Sequence, residues 1–319
     1  MRVLLTGSSG WLGRFLAPLL RQAGHDVVGM DVAPGPETQV RASVADRAAV
    51  DRAFGDHAIE AVIHAGGLHK PDIARFPAQR FVDVNVTGTL NLLEAASGAG
   101  HDRFVFTSTT SLMITQAIRD EAADAAIWLD ETFGPLAPRN IYGVTKLAAE
   151  QLCRLYAESR GLNVVALRTG RFFPEDDDTL KGLSGENLKA NEFLNRRLTV
   201  EDAARAHLCA LDRAPAIGFG TYLICAPTPF ARDDAAALKQ EAAGLVARLF
   251  PEAPGLYAAR GWSLPRSIGR VYEASQAEQA LGFRAETDFG AILQALQQEK
   301  PLPFAHDPAF VSPVLAAGR

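Results

Sequence analysis

The first half of the chain alternates short apolar runs with longer segments of helical periodicity. The apolar runs read VLLT, VVGMD, AVIHAG, FVFTST and VVALRT, and the segments between them carry apolar residues every three to four positions. Such alternation is typical of βαβ units, in which helices cover both faces of a parallel sheet. The pattern therefore predicts a doubly wound α/β fold, with helices at 11–23, 46–54, 78–98 and 141–160.

The pattern changes after Arg168. A polar, irregular stretch leads to a helix that begins near Thr199 and to a short strand at 221–226, and separate helices broken by Pro/Gly segments follow. We predict a first domain at 1–170 and a smaller, mostly helical second domain at 171–319. The strand at 221–226 is a candidate to rejoin the first sheet, and the proline-rich C-terminal tail is expected to be extended.

The composition is that of an ordinary globular protein and excludes several classes of partner. The 319 residues are 48% hydrophobic and 22% charged, with a formal net charge of -5. No Lys/Arg run interleaves with aromatic residues, so we expect no nucleic-acid partner. The opening run VLLT is too short for a signal-peptide core or a membrane span. We therefore expect a cytoplasmic protein that does not contact a membrane.

The cysteines and histidines form no recognisable pairing or metal-binding pattern. Cys153, Cys209 and Cys225 are widely spaced and contain no CxxC pair, which favours reduced thiols that are buried as small apolar residues. The seven histidines show no HExxH or HxH spacing. We therefore expect neither a disulfide framework nor a metal site.

A glycine-rich loop directly follows the first predicted strand. The run TGSSGWLG at 6–13 leads into the first predicted helix, where free backbone N–H groups and the positive end of the helix dipole would meet a pyrophosphate. Ordinary tight turns also use glycine, but this position favours the dinucleotide site of a Rossmann-type sheet. The candidate cofactor contacts here are Gly7, Ser9, Gly10, Trp11 and Leu12.

Asp31 ends the second predicted strand, where an acidic residue is expected to accept hydrogen bonds from the adenosine ribose. A carboxylate at this position would repel a 2′-phosphate, which favours NAD over NADP. The alternative is a solvated aspartate at the start of a loop.

Tyr142 and Lys146 lie four residues apart at the start of a predicted helix, so the phenol and the ammonium share one face. A free tyrosine has a pKa near 10, and a neighbouring cation is needed to bring its phenolate within reach at neutral pH. The pair therefore predicts proton transfer. The alternative is a tyrosine and a lysine that merely share an amphipathic helix.

With these motifs together, the sequence resembles the extended short-chain dehydrogenases/reductases, also called the NAD-dependent epimerase/dehydratase family. The matching motifs occur in family order between residues 6 and 211, about two thirds of the chain. They are TGSSGWLG, Asp31, AVIHAGG, NVTGTLNLLEAA, FVFTST, YGVTKLAAEQL, LRTG and LTVEDAARAHLCAL.

The resemblance implies a role for each matching residue. Thr109 falls where the family has a Ser or Thr that hydrogen-bonds the reacting oxygen, although neighbouring hydroxyls leave this choice open. Tyr142 is the acid/base, and Lys146 holds the nicotinamide ribose and polarises Tyr142. Asn85 matches the family's asparagine near the nicotinamide site. The further cofactor contacts are Ala65, Gly66, Gly67 and Thr107.

Two departures from the family pattern stand out. Ser43 and Val44 replace the Asp and aliphatic residue that often contact adenine, so this contact is expected to be weaker or to use the backbone. The segment before Tyr142 is also unusually long. We expect the insertion at 112–130 to form a lid or a short helix over the substrate entrance.

Three functions follow as hypotheses. The first is an oxidoreductase that moves hydride between NAD and a hydroxyl of a sugar, a sugar acid or a similar small polyhydroxy substrate. The second is a nucleotide-sugar epimerase of the UDP-hexose 4-epimerase type, with transient hydride transfer to tightly bound NAD. The third is a catalytically silent NAD-sensing regulator, which typically lacks the Tyr/Lys pair. Family members often dimerise, and a homodimer through the helices at 78–98 and 141–160 is expected. The alternative is that these helix faces pack inside the monomer.

The short segment after the LRTG motif favours a substrate without a nucleotide. Arg171 replaces an asparagine that faces the nucleotide sugar in the family, and the layout is similar to that of uronate dehydrogenases. The match is partial, because Leu180 occupies the place of their carboxylate-binding arginine and Lys181 lies beside it. The candidate substrate contacts are His69, Thr109, Thr110 and Arg171, with Lys70 and Lys181 as further cations.

Overall fold

The computed structural model describes residues 1–176 and 182–312. Its strands are β1 (Arg2–Thr6), β2 (Asp26–Asp31), β3 (Val40–Arg41), β4 (Ala61–His64), β5 (Phe104–Thr109), β6 (Ile127–Leu129), β7 (Val164–Thr169), β8 (Phe219–Ile224) and β9 (Arg270–Tyr272). Within the described residues, one seven-stranded sheet has the order β3-β2-β1-β4-β5-β7-β8, and each neighbouring pair is parallel. The doubly wound, Rossmann-type fold predicted from the sequence is confirmed, and β8 rejoins the first sheet.

The helices follow the predicted positions in the first half of the chain. They are α1 (Trp11–Gln22), α2 (Arg47–His57), α3 (Ala78–Phe81), α4 (Gly88–Gly98), α5 (Gln116–Arg119), α6 (Ile141–Arg160), α7 (Gly185–Glu192), α8 (Val200–Ile217), α9 (Ala235–Leu249), α10 (Ala253–Ala259), α11 (Ser275–Leu281) and α12 (Phe289–Gln297). The predicted helix at 78–98 contains a wider π-helical turn, Val82–Thr87, between α3 and α4. Such turns are frequent at functional sites.

The central sheet is buried on both faces, which explains its continuous apolar runs. Leu5 points to the face covered by α1 and α8, where it joins Leu16 and Leu211 in one core. Its neighbour Leu4 points to the opposite face and packs in a second core with Leu93 of α4. The alternation of side chains along β1 therefore builds both cores.

A third core lies in the C-terminal half. Residues of α7, α9, α10 and α12 pack together there, with Phe193, Leu238, Tyr257 and Phe289 as examples. The elements α8 and β8 also lie beyond residue 170, yet they belong to the first sheet and its core. The predicted domain boundary at residue 170 stays a prediction. It separates α8 and β8 from the sheet and the core in which they pack.

The insertion at 112–130 contains the short helix α5. A short helix was one of the two forms expected for this segment. Its second part forms β6, which pairs in parallel with β9. The segment is therefore attached to the C-terminal half through a two-stranded sheet. Among the described residues, no helix is both long enough and apolar enough to cross a lipid bilayer.

We predict that loss of the N-terminal cap of α8 destabilises the protein without affecting the cleft described below. The Thr199 hydroxyl accepts the backbone N–H of Asp202 at 3.0 Å. Thr199→Ala removes this acceptor and should lower the free energy of unfolding by about 1 kcal/mol. Thr199→Ser keeps the cap and serves as the control in urea unfolding. Equal stability of the alanine variant and the wild type would contradict the prediction.

Candidate active site

The carboxyl-terminal ends of β1, β2, β4, β5 and β7 open into one cleft of about 1130 Å³. Its walls include Gly7, Asp31, Ala65, Thr109 and Thr169, one from the end of each strand or just beyond it. The order of the strands reverses between β1 and β4. Open α/β sheets bind ligands in the crevice at such a reversal.

The glycine loop after β1 packs backbone against backbone. Gly7 has a φ of 74°, and a side chain there would place its Cβ 2.7 Å from the amide nitrogen of Gly66. A Cβ at Gly13 would collide with the carbonyl oxygen of Gly7. Only glycine allows the loop, the start of α1 and the segment after β4 to come this close. The resulting cradle at the N-terminus of α1 fits the pyrophosphate of a dinucleotide.

Asp31 lines the cleft and also supports the glycine loop. Its two carboxylate oxygens accept the backbone N–H groups of Ser9, at 3.1 Å, and of Ala33, at 2.9 Å. Burial raises the pKa of Asp31 above its ordinary value, and these two hydrogen bonds oppose the shift. Each oxygen keeps a further acceptor direction for a ribose hydroxyl. Arg41 lines the same part of the cleft.

Two predicted cofactor contacts, Ser9 and Asn85, lie behind the wall of the cleft. Ser9 is almost fully buried, and its hydroxyl bonds the carbonyl of Ala33 and the hydroxyl of Thr38. Asn85 lies in the π-helical turn and is 1% exposed. The Asn85 amide is bonded to groups of the protein itself, and a direct cofactor contact stays a prediction at both positions.

The side chain of Asn85 fastens the segment after β4 to α6. Its Oδ1 accepts the backbone N–H of Leu68 at 2.9 Å, and its Nδ2 donates to the carbonyl of Leu68 at 3.0 Å and to the Thr145 hydroxyl at 3.1 Å. Asn85 therefore acts on the cleft through Leu68, which does line it.

Tyr142 and Thr109 meet at the wall of the cleft. Burial raises the pKa of Tyr142 to about 12, a hydrogen bond from the Thr109 hydroxyl opposes this shift, and the negative charge of Asp72 adds to it. The Thr109 hydroxyl also accepts the backbone N–H of Ser111 at 3.1 Å. The sequence left open which of several neighbouring hydroxyls acts with Tyr142. In the structure, the Thr109 hydroxyl bonds the phenol.

Lys146 lies one helical turn beyond Tyr142 and is 5% exposed. Its ammonium donates to the carbonyl of Thr107 at 2.9 Å and lies 4.6 Å from the centre of the Phe106 ring. Burial lowers the pKa of Lys146 to about 8, and the negative charge of Glu150 opposes the shift. The lowering of the Tyr142 pKa by this lysine stays a prediction.

A buried ion pair that the sequence analysis missed lies one further turn along α6. Arg168 of β7 donates to both carboxylate oxygens of Glu150, at 3.0 and 2.7 Å, and Ser108 of β5 donates to the same carboxylate at 2.5 Å. The sequence could have indicated this ion pair through the spacing of four residues from Lys146 to Glu150. That spacing places the Glu150 carboxylate on the same face of α6 as Lys146.

An arginine cluster, of which the sequence indicated only Arg171, lies in the cleft beyond β7. Arg196, Arg197 and Arg171 lie 2.7, 2.9 and 3.6 Å from the carboxylate oxygens of Glu192. Burial opposes the charge of Glu192, but the guanidinium groups outweigh it and lower its pKa to about 2. Arg171 and Arg196 line the cleft together with Arg270 of β9. We call Arg171, Arg196 and Arg270 the arginine wall.

Aromatic rings also line the cleft. His69 stacks on Phe173 with 4.9 Å between ring centres. The indole N–H of Trp11 donates to the carbonyl of Phe172 at 3.2 Å, and its ring contacts Phe310 of the tail at 5.2 Å between centres. The tail therefore reaches the cleft, a contact that its composition did not indicate.

Most of the predicted site residues share this one cleft. Those that line it are Gly7, Gly10, Trp11, Leu12, Asp31, Ser43, Val44, Ala65, Gly66, Gly67, His69, Lys70, Thr107, Thr109, Thr110, Tyr142, Lys146 and Arg171. Leu180 and Lys181 lie outside the described residues. Within the part of the chain that is described, no three His, Cys, Asp or Glu side chains come together as a metal-binding group.

Two curated relatives resemble this chain over about half of its length or more. A uronate dehydrogenase of Pseudomonas syringae pv. tomato is 31% identical over 180 residues, which are 54% of this chain and 60% of that protein. A UDP-glucose 4-epimerase of Erwinia amylovora is 27% identical over 267 residues, 70% of this chain and 77% of that protein. The match to the uronate dehydrogenase thus spans less than two thirds of its length.

A solved structure shows the same fold over almost the whole chain. A short-chain dehydrogenase/reductase superfamily protein from Agrobacterium tumefaciens, solved with bound NAD, has a TM-score of 0.66 and 23% identity, and the match covers 94% of this chain and 98% of that one. The sequence profile of the NAD dependent epimerase/dehydratase family matches residues 3–184, more than half of this chain. With its glycine cradle, its acidic residue at the end of β2 and its Tyr/Lys pair in one cleft, the chain belongs to the NAD dependent epimerase/dehydratase family.

Proposed function

We propose that this protein is an NAD-dependent dehydrogenase that oxidises a hydroxyl group of a small, negatively charged sugar derivative, such as a free sugar acid. The proposal combines two parts of the cleft. One is the proton-transfer group at the ends of β5 and α6. The other is the arginine wall, which lies beyond the end of β7 in the same cleft.

The proton-transfer group supplies what oxidation of an alcohol requires. Removing hydride from a carbinol needs a base for the hydroxyl proton and a donor that holds the oxygen in place. Tyr142 takes the proton of the substrate hydroxyl. Thr109, which bonds the phenol of Tyr142, holds the oxygen of that substrate hydroxyl in place. The positive charge of Lys146 would favour the phenolate, and its ammonium would hold ribose hydroxyls of the bound cofactor. NAD, when bound, supplies the hydride acceptor.

The cofactor residues fit the NAD that the family uses. Gly7, Gly10 and the N-terminus of α1 would hold the pyrophosphate, and Asp31 would accept the ribose hydroxyls. Gly66 and Gly67 line the cleft between this cradle and Lys146.

The observation that carries the substrate proposal is the register of β5 and β7. Thr109 is the register partner of Thr169, and Arg171 follows two residues later. Since neighbouring strands are about 4.8 Å apart and residues rise about 3.3 Å each, the backbone of Arg171 lies roughly 8 Å from that of Thr109. One sugar ring fills such a span, so a substituent on the ring that reacts at Thr109 reaches the arginine wall.

The charges of the arginine wall favour an anionic substituent. Arg171 and Arg196 share the carboxylate of Glu192 with Arg197, so three cations face one anion. The Nε of Arg270 is shielded from solvent and has no hydrogen-bond partner among the described residues. A planar guanidinium binds a carboxylate through two parallel hydrogen bonds, which makes a carboxylate the best-matched group.

The acidic side chains at this end do not cancel that charge. Glu175 and Asp176 also line the cleft, but Asp176 pairs with the ammonium of Lys189 at 3.2 Å. Within the described part of the chain, the positive charge therefore remains in excess near the arginine wall.

Relatives of this chain include a UDP-glucose 4-epimerase, so the alternative is an epimerase that returns the hydride to its substrate. Net release of NADH separates the two activities.

We predict that Tyr142→Phe lowers kcat by at least about a hundredfold, because the phenolic oxygen acts on the proton in the transition state. NADH affinity should stay within about twofold, since the ring and its packing remain. Tyr156→Phe, which removes a phenol from the same helix outside the cleft, is the control. The assay is NAD reduction with a free uronic acid, alongside a fluorescence titration with NADH. Turnover of Tyr142→Phe within a few-fold of wild type would refute the role.

We predict that the wild type prefers NAD and that Asp31→Ser reduces this preference by at least about tenfold, because the carboxylate that repels a 2′-phosphate is gone and Arg41 lies nearby. Kinetics with NAD and NADP in parallel measure the ratio. Asp26→Ser, which removes an exposed carboxylate at the other end of β2, should leave the ratio unchanged. Equal or better wild-type activity with NADP would remove the argument.

We predict that free uronic acids are oxidised with net NADH formation and at least about tenfold higher kcat/KM than the matching neutral hexoses. Arg270→Met should raise KM for the acid and leave the neutral hexose unaffected. Arg266→Met, an exposed arginine outside the cleft, is the matched control. Galactose 6-phosphate tests whether a phosphate replaces the carboxylate. Epimerisation of a UDP-hexose without activity on any free sugar would overturn the proposed function.

A further inference from the structure

The segment Gly66–Leu68, which follows β4 and lines the cleft, is held at both ends by side chains. At its start, the backbone N–H of Gly66 donates to the Thr6 hydroxyl at 3.0 Å. At its end, the N–H and the carbonyl of Leu68 both bond the amide of Asn85, at 2.9 and 3.0 Å. Thr6 ends β1 and Asn85 lies in the π-helical turn, so two separate elements fix one short segment.

The fully buried ring of His64 joins these two supports. Its Nδ1 lies 2.7 Å from the Thr6 hydroxyl oxygen, and its Nε2 lies 3.1 Å from the Thr89 hydroxyl oxygen. Thr89 in turn donates to the backbone carbonyl of Asn85 at 2.6 Å. These hydrogen bonds, together with the backbone from Gly66 to Leu68, form a closed ring. We call its members the His64 clamp: Gly66, Thr6, His64, Thr89, Asn85 and Leu68.

The donor and acceptor of every bond in the clamp follow from counting protons. A carbonyl can only accept, so Thr89 spends its single proton on Asn85 and must accept a proton from Nε2 of His64. A neutral imidazole has one N–H, so Nδ1 of His64 accepts the proton of the Thr6 hydroxyl. That hydroxyl is then free to accept the N–H of Gly66. Every donor has an acceptor only in this one arrangement.

The surroundings keep the ring in the required neutral state. Burial lowers the pKa of His64 well below its ordinary value, and the positive charge of Lys146 adds to this shift. A protonated ring would carry a second N–H at Nδ1. Thr6 would then have to accept from both His64 and Gly66, and its own proton would lose its partner.

The clamp controls a narrow space beside Lys146. A Cβ at Gly67, the residue between the two held ends, would lie 3.0 Å from Oδ1 of Asn85 and 3.4 Å from Nζ of Lys146. On the other side, Gly66 packs against Gly7 of the glycine loop. A shift of the segment in either direction therefore changes the gap between Lys146 and the pyrophosphate cradle.

We propose that His64 is a positioning residue for NAD: through Thr6 and Thr89 it fixes the Gly66–Leu68 wall at the spacing from Lys146 and Gly7 at which the nicotinamide half of the cofactor fits. This role depends only on NAD binding and not on which substrate the protein oxidises.

The test uses isosteric changes of the two threonines in the full-length protein. Thr6→Val and Thr89→Val keep the side-chain volume but remove one hydroxyl each, whereas Thr6→Ser and Thr89→Ser keep it. We expect each valine variant to weaken NADH binding by roughly tenfold or more, and each serine variant to stay within about twofold of wild type. Fluorescence titration with NADH gives these affinities without any substrate. With substrate, KM for NAD should rise more than kcat falls.

A control separates positioning from a general loss of stability. Val62 lies two residues before His64 on the same face of β4, and it is fully buried in an apolar core. Val62→Ala should lower Tm but leave NADH affinity unchanged. Wild-type NADH affinity in both valine variants would overturn the proposal. The proposal would also be overturned if Val62→Ala lost as much NADH affinity as a threonine-to-valine variant of the same Tm. Because NADH binding is the readout, failure of the substrate proposal leaves this test intact.

Discussion

The site depends on a lysine ammonium that is held out of water at the end of a sheet. Lys146 is 5% exposed, and a buried cation needs acceptors and a counter-charge to stay charged. The Thr107 carbonyl accepts one of its hydrogen bonds, and Glu150 lies one turn further along the same helix. Glu150 is itself buried and is neutralised by Arg168. This chain of charges anchors α6 to β5 and β7.

The local features of the site could be predicted from the sequence because each depends on a few consecutive residues. The spacing of Tyr142 and Lys146 fixes their common face in any helix, and the glycine loop has its meaning only between a strand and a helix. Asp31 was found in the same way. The family resemblance then ordered these features into one site, and the model confirms the fold that carries them.

The remaining features required tertiary structure. Nothing in the sequence near Ser9 or Asn85 indicates that their side chains turn into the protein, where backbone groups of Ala33 and Leu68 accept and donate their hydrogen bonds. The arginine wall unites residues that are up to 99 positions apart, from Arg171 to Arg270. The strand within 112–130 was not predicted, because its partner β9 is distant in sequence.

The two halves of the chain therefore contribute differently to the cleft. The first half supplies the cradle, the proton-transfer group and the His64 clamp, all of which the family profile covers. Residues beyond the profile supply Arg196, Arg270 and the tail contact of Phe310. The arginine wall thus combines Arg171, which the family profile covers, with two residues beyond it.

The return of β8 to the first sheet has a consequence for synthesis on the ribosome. Until residues 200–224 have emerged, β7 is an unpaired edge, and the face of the sheet that α8 covers exposes Val165 and Leu167. Open strand edges beside apolar surface promote aggregation of nascent chains. The growing polypeptide therefore has a vulnerable interval in which its cofactor cradle is already made, and a chaperone that shields β7 during that interval would protect it.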